Sequence, residues 1–241
     1  MKDVIQDIRG RISLHAYQNE EHVRICIVAR LLQELGWDIW NPKEVYTEYK
    51  PNRDEDRKPV DLALFSSGPN PRIFVEVKAL GSVRQDLDAS ERQLRDYNRN
   101  LTALFSILTD GQIWRLYLSQ SGGDFHSKCF KDLDLLEGEV EDIEKDFTIF
   151  LSKQQVTSGI AETEAKKYLH LSQKQRVMDD CLSEARRKTN QPPYPRLPDA
   201  LVELVQENGF EISIDEATEF IKSETVQPRP ERPFAVSEEP F

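Results

Sequence analysis

The sequence is poor in the residues that build cross-linked or membrane-bound folds. It has only three cysteines, Cys26, Cys129 and Cys181, which are widely spaced and form no C-x-x-C pair. An odd number of scattered thiols argues against a disulfide framework or a structural zinc site, and it favours a reducing compartment. No apolar run approaches the roughly 20 residues that span a bilayer, and the first residues lack the apolar segment of a signal peptide. We therefore expect a cytoplasmic protein without a membrane anchor.

Two further absences limit the chemistry. The chain contains no G-x-x-x-x-G-K-[ST] phosphate loop, so it encodes no ATP-driven motor of that class. His15 and His126 are isolated in the sequence, and we expect neither to be a metal ligand.

The net charge of −11 is unevenly distributed along the chain. Residues 1–131 contain 19 Lys/Arg and 19 Asp/Glu, whereas residues 132–241 contain 13 and 24. All of the acidic excess therefore lies in the second part. Carboxylates neutralised by a cation would leave the first part mildly positive, which is compatible with binding phosphates.

The most informative stretch is residues 60–79, which reads as two apolar strands joined by a turn rich in Ser, Gly, Asn and Pro. In the second strand Phe74, Glu76 and Lys78 alternate with two valines, so Glu76 and Lys78 project to the same side. The first strand has Asp61 just inside its start. Pairing of the two strands would bring Asp61 near Glu76, and a charge cluster of this kind inside a strand is costly unless it is paired or binds a metal.

These residue types suit a divalent cation. Mg²⁺ takes carboxylate oxygens and retains waters for substrate phosphates, so Asp61 and Glu76 are predicted ligands, and the backbone carbonyl of Val77 is a further one. Lys78 would orient or deprotonate an attacking water and offset charge on the phosphoryl oxygens. The simpler interpretation is that Glu76 and Lys78 form a surface pair on an edge strand.

Asp61 followed by Glu76-Val77-Lys78 resembles the D…(D/E)-x-K signature of the PD-(D/E)XK nuclease superfamily, with Val60 at the position of the proline. More narrowly, about residues 15–131 resemble the N-terminal nuclease domain of type I restriction enzyme R subunits, without the helicase. This resemblance depends on an ordered set of segments: residues 19–24, 35–38, 60–64, 74–79, 93–97 and 108–111, with Trp114.

The resemblance implies metal-dependent phosphodiester hydrolysis with Mg²⁺, or alternatively Mn²⁺. It also implies that Glu20, which is followed by x-x-x-Arg24 as in the family pattern, completes the acidic cluster. Helix periodicity places Glu20 on the extension of an apolar stripe formed by Val23, Ile27, Leu31 and Leu35. Periodicity does not exclude Glu21, and a surface pair between Glu20 and Arg24 is an equal alternative.

A later helix, predicted to open at Asp88 with Glu91 as a capping-box residue, carries further candidates. Gln93 and Tyr97 are i,i+4 neighbours, and the resemblance implies that such a pair lies beside the metal site and holds phosphate or the lysine. The alternative is a Tyr97 ring packed in the core. Arg92, Arg95 and Arg99 share another face, where they either contact a nucleic-acid backbone or are solvated.

The predicted fold class is α/β. Residues 1–131 are expected to form a restriction-endonuclease-like core, an α-β-β-β-α-β mixed sheet flanked by helices, which begins with a helix over residues 2–36. Residues 132–226 are predicted to be an acidic helical appendage, and residues 227–241 a disordered Pro-rich tail. Helices are expected near residues 141–152, 157–188, 199–208 and 214–223.

The leading hypothesis is a magnesium-dependent endonuclease that acts on nucleic acid, with DNA as the expected substrate, in a restriction or defence role. The alternative is a module of the same fold that binds nucleic acid or protein and has no activity of its own, or acts only with a partner. Residues 132–226 would then serve self-association or docking of separately encoded subunits.

Overall fold

The structure is a computed structural model that describes residues 1–50, 58–66, 68–99 and 103–226. Its strands are β1 Val45–Tyr49, β2 Val60–Leu64, β3 Ile73–Val77, β4 Phe105–Thr109, β5 Ile113–Leu118 and β6 Cys129–Asp134. Its α-helices are α1 Lys2–Ser13, α2 Glu20–Val23, α3 Arg30–Glu34, α4 Leu87–Tyr97, α5 Val140–Leu151, α6 Lys153–Ser158, α7 Ile160–Lys188, α8 Leu197–Glu207 and α9 Ile214–Val226. A π-helical stretch, Arg24–Ala29, joins α2 to α3, and His126–Lys128 form a 3-10 turn.

The strands form one sheet in the chain order β1 to β6. Neighbouring strands are antiparallel except β3 and β4, which are parallel. Helix α4 lies between β3 and β4 in the chain and makes the crossover that a parallel pair requires. The prediction of a mixed α/β sheet flanked by helices, with a helical C-terminal part, is confirmed.

Helices cover both faces of the sheet. On one face α1, α5 and the predicted stripe Val23, Ile27, Leu31 and Leu35 pack against alternate strand residues such as Val75. On the other face α4 contributes Leu94 and Tyr97, which pack with Phe74 and Leu108. Because both faces are covered, β3 and β4 are buried along their whole length. A charged side chain in β3 therefore lies inside the protein.

The helix predicted over residues 2–36 is interrupted: the chain is helical over residues 2–13 and again over residues 20–34, and residues 14–19 lie between the two segments. Helix α1 ends at Ser13, and His15 adopts a left-handed conformation with φ of 53°. Helix α2 then begins after Asn19, whose side chain accepts a hydrogen bond from the backbone N–H of His22 at 2.9 Å. This cap fixes the start of the helix that carries Glu20 and Arg24.

The chain divides into two compact units, Met1–Ser172 and Gln173–Phe241. The first unit contains the sheet, α5 and α6. In the second, the C-terminal part of α7 packs with α8 and α9 around a separate apolar cluster that includes Met178, Leu201 and Phe220. The predicted tail, residues 227–241, lies outside the described residues. Among the described helices, none has the length and apolar character needed to span a bilayer.

Candidate active site

The β2–β3 hairpin places Asp61 beside Glu76. Leu62 pairs with Val75 in the antiparallel register, so the next residues along, Asp61 and Glu76, lie side by side and face the same side of the sheet. The Oδ2 atom of Asp61 also accepts a hydrogen bond of 2.7 Å from the backbone N–H of Val77. This bond fixes the Asp61 carboxylate at the point where β3 ends.

Glu76 is only 2% exposed, although it is charged in its ordinary state. Its Oε1 atom accepts a hydrogen bond of 2.5 Å from Nζ of Lys78. Its Oε2 atom is buried and lacks a well-formed hydrogen bond from the described residues, although the nearby Tyr97 hydroxyl lowers the pKa of Glu76. A buried carboxylate oxygen without a donor is costly, and it is the kind of atom that a bound cation or a water would satisfy.

Burial first and then the charge of Asp61 raise the pKa of Glu76 to about 7, against the opposing charge and hydrogen bond of Lys78. Burial likewise raises the pKa of Asp61 to about 6; the N–H of Val77 opposes the shift, and the charge of Glu20 adds to it. The charge of Asp61 therefore disfavours the ionised form of Glu76. A cation placed between them would relieve this repulsion.

Lys78 is held by a short chain of hydrogen bonds from α4. Its Nζ atom donates to Oε1 of Gln93 at 3.2 Å, and the Gln93 amide in turn donates to the hydroxyl of Tyr97. That hydroxyl donates to the carbonyl of Pro59, which immediately precedes β2, at 3.0 Å. Gln93 and Tyr97 thus connect the lysine to the start of the strand that carries Asp61, while the Tyr97 ring packs in the core.

Helix α2 brings Glu20 and Arg24 to the same end of the hairpin. Glu20 lies near enough for its charge to raise the pKa of Asp61, whereas Glu21 pairs with Arg24. The predicted alternative of a Glu20–Arg24 pair is not what the structure shows, because the Arg24 guanidinium contacts Glu21 and Glu48 and lies 3.7 Å from Oδ1 of Asp61. Between the two glutamates, Glu20 is the one that acts on Asp61.

The predicted arginines of α4 lie elsewhere. Arg92, Arg95 and Arg99 are exposed on the solvent side of the helix, and Arg95 and Arg99 lie 3.6 Å and 3.5 Å from Asp96. In the described part of the chain, no hydrogen bond or ion pair joins any of the three to Asp61 or Glu76. The structure therefore brings Glu20, Asp61, Glu76, Lys78, Gln93 and Tyr97 together but leaves the three arginines outside this group.

Sequence reasoning missed a buried cluster at the start of α4. The predicted capping box is absent, since α4 begins after Asp86 and has no side-chain cap. Glu91 is instead 6% exposed, accepts a hydrogen bond of 2.7 Å from the hydroxyl of Tyr117 and lies 3.0 Å from Nδ1 of His126. The partners lie 26 and 35 residues away along the chain, so no local signal could have identified them.

Arg24 was recognised only as part of a sequence pattern. Its spacing of three residues from Glu21 is the local signal for the observed pair. Its approach to Asp61 depends on how α2 packs against the sheet, which the spacing does not reveal.

The donors at the hairpin suit a hard cation. Among residues 1–50, 58–66, 68–99 and 103–226 there is no cluster of three or more His, Cys, Asp or Glu side chains that could hold a metal. Mg²⁺, however, is commonly bound by one or two carboxylates, with waters and substrate phosphates completing its shell. That requirement is met by Asp61, by Glu76 with its unpartnered Oε2, and by nearby backbone oxygen.

This mixed sheet, with an aspartate, a glutamate and a lysine at the end of a central hairpin, has the arrangement expected of the PD-(D/E)XK class. Residues 19–127, just under half of the chain, match the family model described as the type I restriction enzyme R protein N terminus. The resemblance stated from the sequence is confirmed for this segment, which contains every residue of the site from Glu20 to Tyr97. No curated protein and no solved structure matched the chain.

Proposed function

We propose that this protein hydrolyses phosphodiester bonds of nucleic acid, with DNA as the substrate and Mg²⁺ or Mn²⁺ as the cofactor. The observation that supports this best is the juxtaposition of Asp61, Glu76 and Lys78 at the end of the β2–β3 hairpin. A fold that buries two repelling carboxylates and an ammonium gains no stability from the carboxylates alone. Such an arrangement is characteristic of a functional site.

Asp61, Glu76 and the backbone carbonyl of Val77 would hold the cation. When bound, the cation supplies positive charge that activates the attacking water and stabilises the leaving oxygen. The cluster is preorganised for this, because the N–H of Val77 fixes Asp61 at 2.7 Å and Lys78 fixes Glu76 at 2.5 Å. Glu20 adds negative charge on the side of α2 and increases the attraction for a divalent ion.

Lys78 acts on the reacting phosphate. Its ammonium bridges Glu76 and Gln93, which leaves one of its three N–H groups free to orient water or to stabilise charge on a phosphoryl oxygen. Gln93 and Tyr97 restrict the lysine to this position through the Pro59 carbonyl. They are supporting residues in this proposal, not reacting ones.

The family match indicates a restriction or defence type of nuclease and an interaction with nucleic acid or with partner subunits. These 241 residues contain no phosphate loop, so translocation along DNA would require a motor supplied from outside them. Residues 132–226 are the proposed docking region for such a subunit or for a second copy of this chain.

One observation favours a second function, binding without cleavage. Arg24 and Lys78 already lie against Asp61 and Glu76, so the negative charge is partly balanced by side chains. A site of this kind is compatible with a module of the same fold that binds nucleic acid and does not hydrolyse it.

Cleavage of supercoiled plasmid by the purified protein, with Mg²⁺ or Mn²⁺ and with chelator, separates these functions. We expect metal-dependent nicking or linearisation that falls by about 100-fold or more in Asp61→Asn and in Lys78→Ala. Lys145→Gln is the matched control, because Lys145 is exposed on α5, which packs on the opposite face of the sheet. If the folded wild type binds DNA but leaves it intact with every metal, the enzyme proposal fails and the binding module stands.

A further inference from the structure

Two cavities border α4, and Arg92 lines both of them. The near cavity, of about 330 Å³, is bordered by Lys58, Arg92, Gln93, Tyr97 and Asp96, whose carboxylate lies 3.6 Å from Arg95 and 3.5 Å from Arg99. The far cavity, of about 420 Å³, is bordered by Arg92, Arg95, His126 and Lys128. Because Gln93 and Tyr97 also hold Lys78, the near cavity adjoins the candidate active site, and the far cavity continues from it beyond Arg92.

Three cations along these cavities have no acidic partner among the described residues. In the part of the chain that the structure describes, Lys58, Arg92 and Lys128 form no ion pair, whereas Arg24 and Arg115 each contact two or more carboxylates. Lys128 donates one hydrogen bond of 3.0 Å to the Ser119 carbonyl. Two of its three N–H groups remain available to a ligand.

The acidic residues of the far cavity do not neutralise these cations directly. The Glu91 carboxylate is buried and engaged by Tyr117 and His126. Asp88 and Asp124 are exposed at the rim, and their short side chains reach less far than those of Arg92 and Lys128. Long cationic side chains with free donors beside a polar cavity are suited to phosphate oxygens.

We propose that the two cavities bind backbone phosphates of the nucleic-acid strand on one side of the scissile phosphate, with Lys58 and Arg92 in the near cavity and Lys128 in the far cavity. This inference rests on the proposed function, because the active site defines where the strand begins. It assigns nucleic-acid contacts to Lys58 and Lys128, and it places Arg92, which lines both cavities, between these two lysines. Contacts of this type add affinity without reading the base sequence.

The test measures binding of the full chain to a fluorescent DNA duplex by anisotropy, in chelator and at several salt concentrations, so that no cleavage is involved. Arg92→Gln and Lys128→Gln are each expected to weaken binding several-fold. Each should also reduce the slope of log affinity against log salt by about 0.9, the value for one lost phosphate contact with a duplex. Lys128→Arg keeps the charge and should restore both properties, which excludes a purely structural effect of the lost contact to Ser119.

Lys145→Gln provides the same charge change on the opposite face of the sheet and should leave affinity and slope unchanged. Equal effects of Lys128→Gln and Lys145→Gln would overturn the proposal, as would the absence of any binding by the wild type. The cleavage assay stays independent of this result. If the protein binds DNA through Arg92 and Lys128 but never cuts it, the phosphate sites stand and the enzyme proposal fails. If the protein cuts DNA and both variants bind as tightly as the wild type, the enzyme proposal stands and the phosphate sites fail.

Discussion

Asp61 and Glu76 are the residues with the highest electrostatic cost in the hairpin, because each is largely buried, the charge of Asp61 opposes ionisation of Glu76, and the charge of Glu20 opposes ionisation of Asp61. Lys78, Arg24 and the N–H of Val77 offset this cost only in part, since both pKa values remain above their ordinary range. At neutral pH without a cation, Glu76 titrates near its midpoint. The site is therefore expected to respond to pH and to metal together.

The sign of the pH effect follows from these shifts. The raised pKa values, about 6 for Asp61 and about 7 for Glu76, mean that the folded chain holds protons that the unfolded chain releases. In chelator, the stabilisation from these groups is fully present below about pH 4 and is lost as pH rises to about 7, by at most roughly 3 to 4 kcal/mol per group. Mg²⁺ should reverse this trend by binding the ionised carboxylates of the folded state.

Urea unfolding between pH 4 and pH 8, with and without Mg²⁺, measures this effect. The double variant Asp61→Asn, Glu76→Gln should lose both the pH slope from these groups and the stabilisation by Mg²⁺. The double variant Asp3→Asn, Glu137→Gln, at exposed positions, is the control and should keep both. An unchanged slope in the Asp61/Glu76 variant would show that the two carboxylates are not the titrating groups.

At the level of secondary structure, the hairpin was predictable because both of its signals are local. The alternation of apolar and charged residues in β3 predicted that Glu76 and Lys78 lie on the same side of the strand. The polar turn predicted the strand pairing that places Asp61 beside them. The i,i+4 spacing likewise predicted that Gln93 and Tyr97 share a side of α4. The contact of Gln93 with Lys78, which Tyr97 supports, was implied only by the family resemblance, because it depends on how α4 packs on the sheet.

The features that were missed depend on distant parts of the chain or on single backbone angles. The interruption between α1 and α2 comes from the left-handed conformation of His15, which a pattern of apolar residues does not encode. Glu91 has the spacing of a capping residue, but its carboxylate contacts Tyr117 and His126, which lie 26 and 35 residues further along the chain. Tertiary contacts here override a local preference.

The turn between β4 and β5 is expected to control how α2 packs on the sheet. Gly111 has a φ of +87°, and a Cβ atom there would lie 2.6 Å from Cδ1 of Ile27 and 3.0 Å from Cγ1 of Val23. Gly111→Ala should therefore destabilise the fold by about 2–4 kcal/mol, from the left-handed backbone and from displacement of these core side chains. Urea unfolding gives this value directly.

Gly81→Ala is the matched control, because Gly81 has a similar φ of +81° but no atom within 4 Å of the added Cβ. It should show only the backbone cost of about 1–2 kcal/mol. Ile27→Val in the Gly111→Ala background should recover part of the loss, since it removes the Cδ1 atom that the new methyl group meets. Equal losses in the two alanine variants would remove the steric argument.

At the scale of the whole molecule, the two compact units differ in how densely they carry negative charge. Residues 1–172 contain 23 Lys/Arg and 29 Asp/Glu, and residues 173–241 contain 9 and 14, so the second unit contributes −5 of the total −11. The apolar clusters on the two faces of the sheet are built from residues up to Leu169. The first unit therefore has a complete core of its own.

We expect a chain ending at Ser172 to fold cooperatively and to retain the hairpin site, because Ala161, Ala165 and Leu169 of α7 remain packed in the core. With the acidic second unit removed, its affinity for a DNA duplex should exceed that of the full chain at low salt. The difference should shrink as salt rises, since screening shortens the range of charge repulsion to about 10 Å at 0.1 M ionic strength and about 3 Å at 1 M. Anisotropy titrations of both chains at several salt concentrations measure this directly. A difference that persists at high salt would instead indicate that the second unit contacts or covers the binding surface, and equal affinities at low salt would show that its charge does not oppose binding.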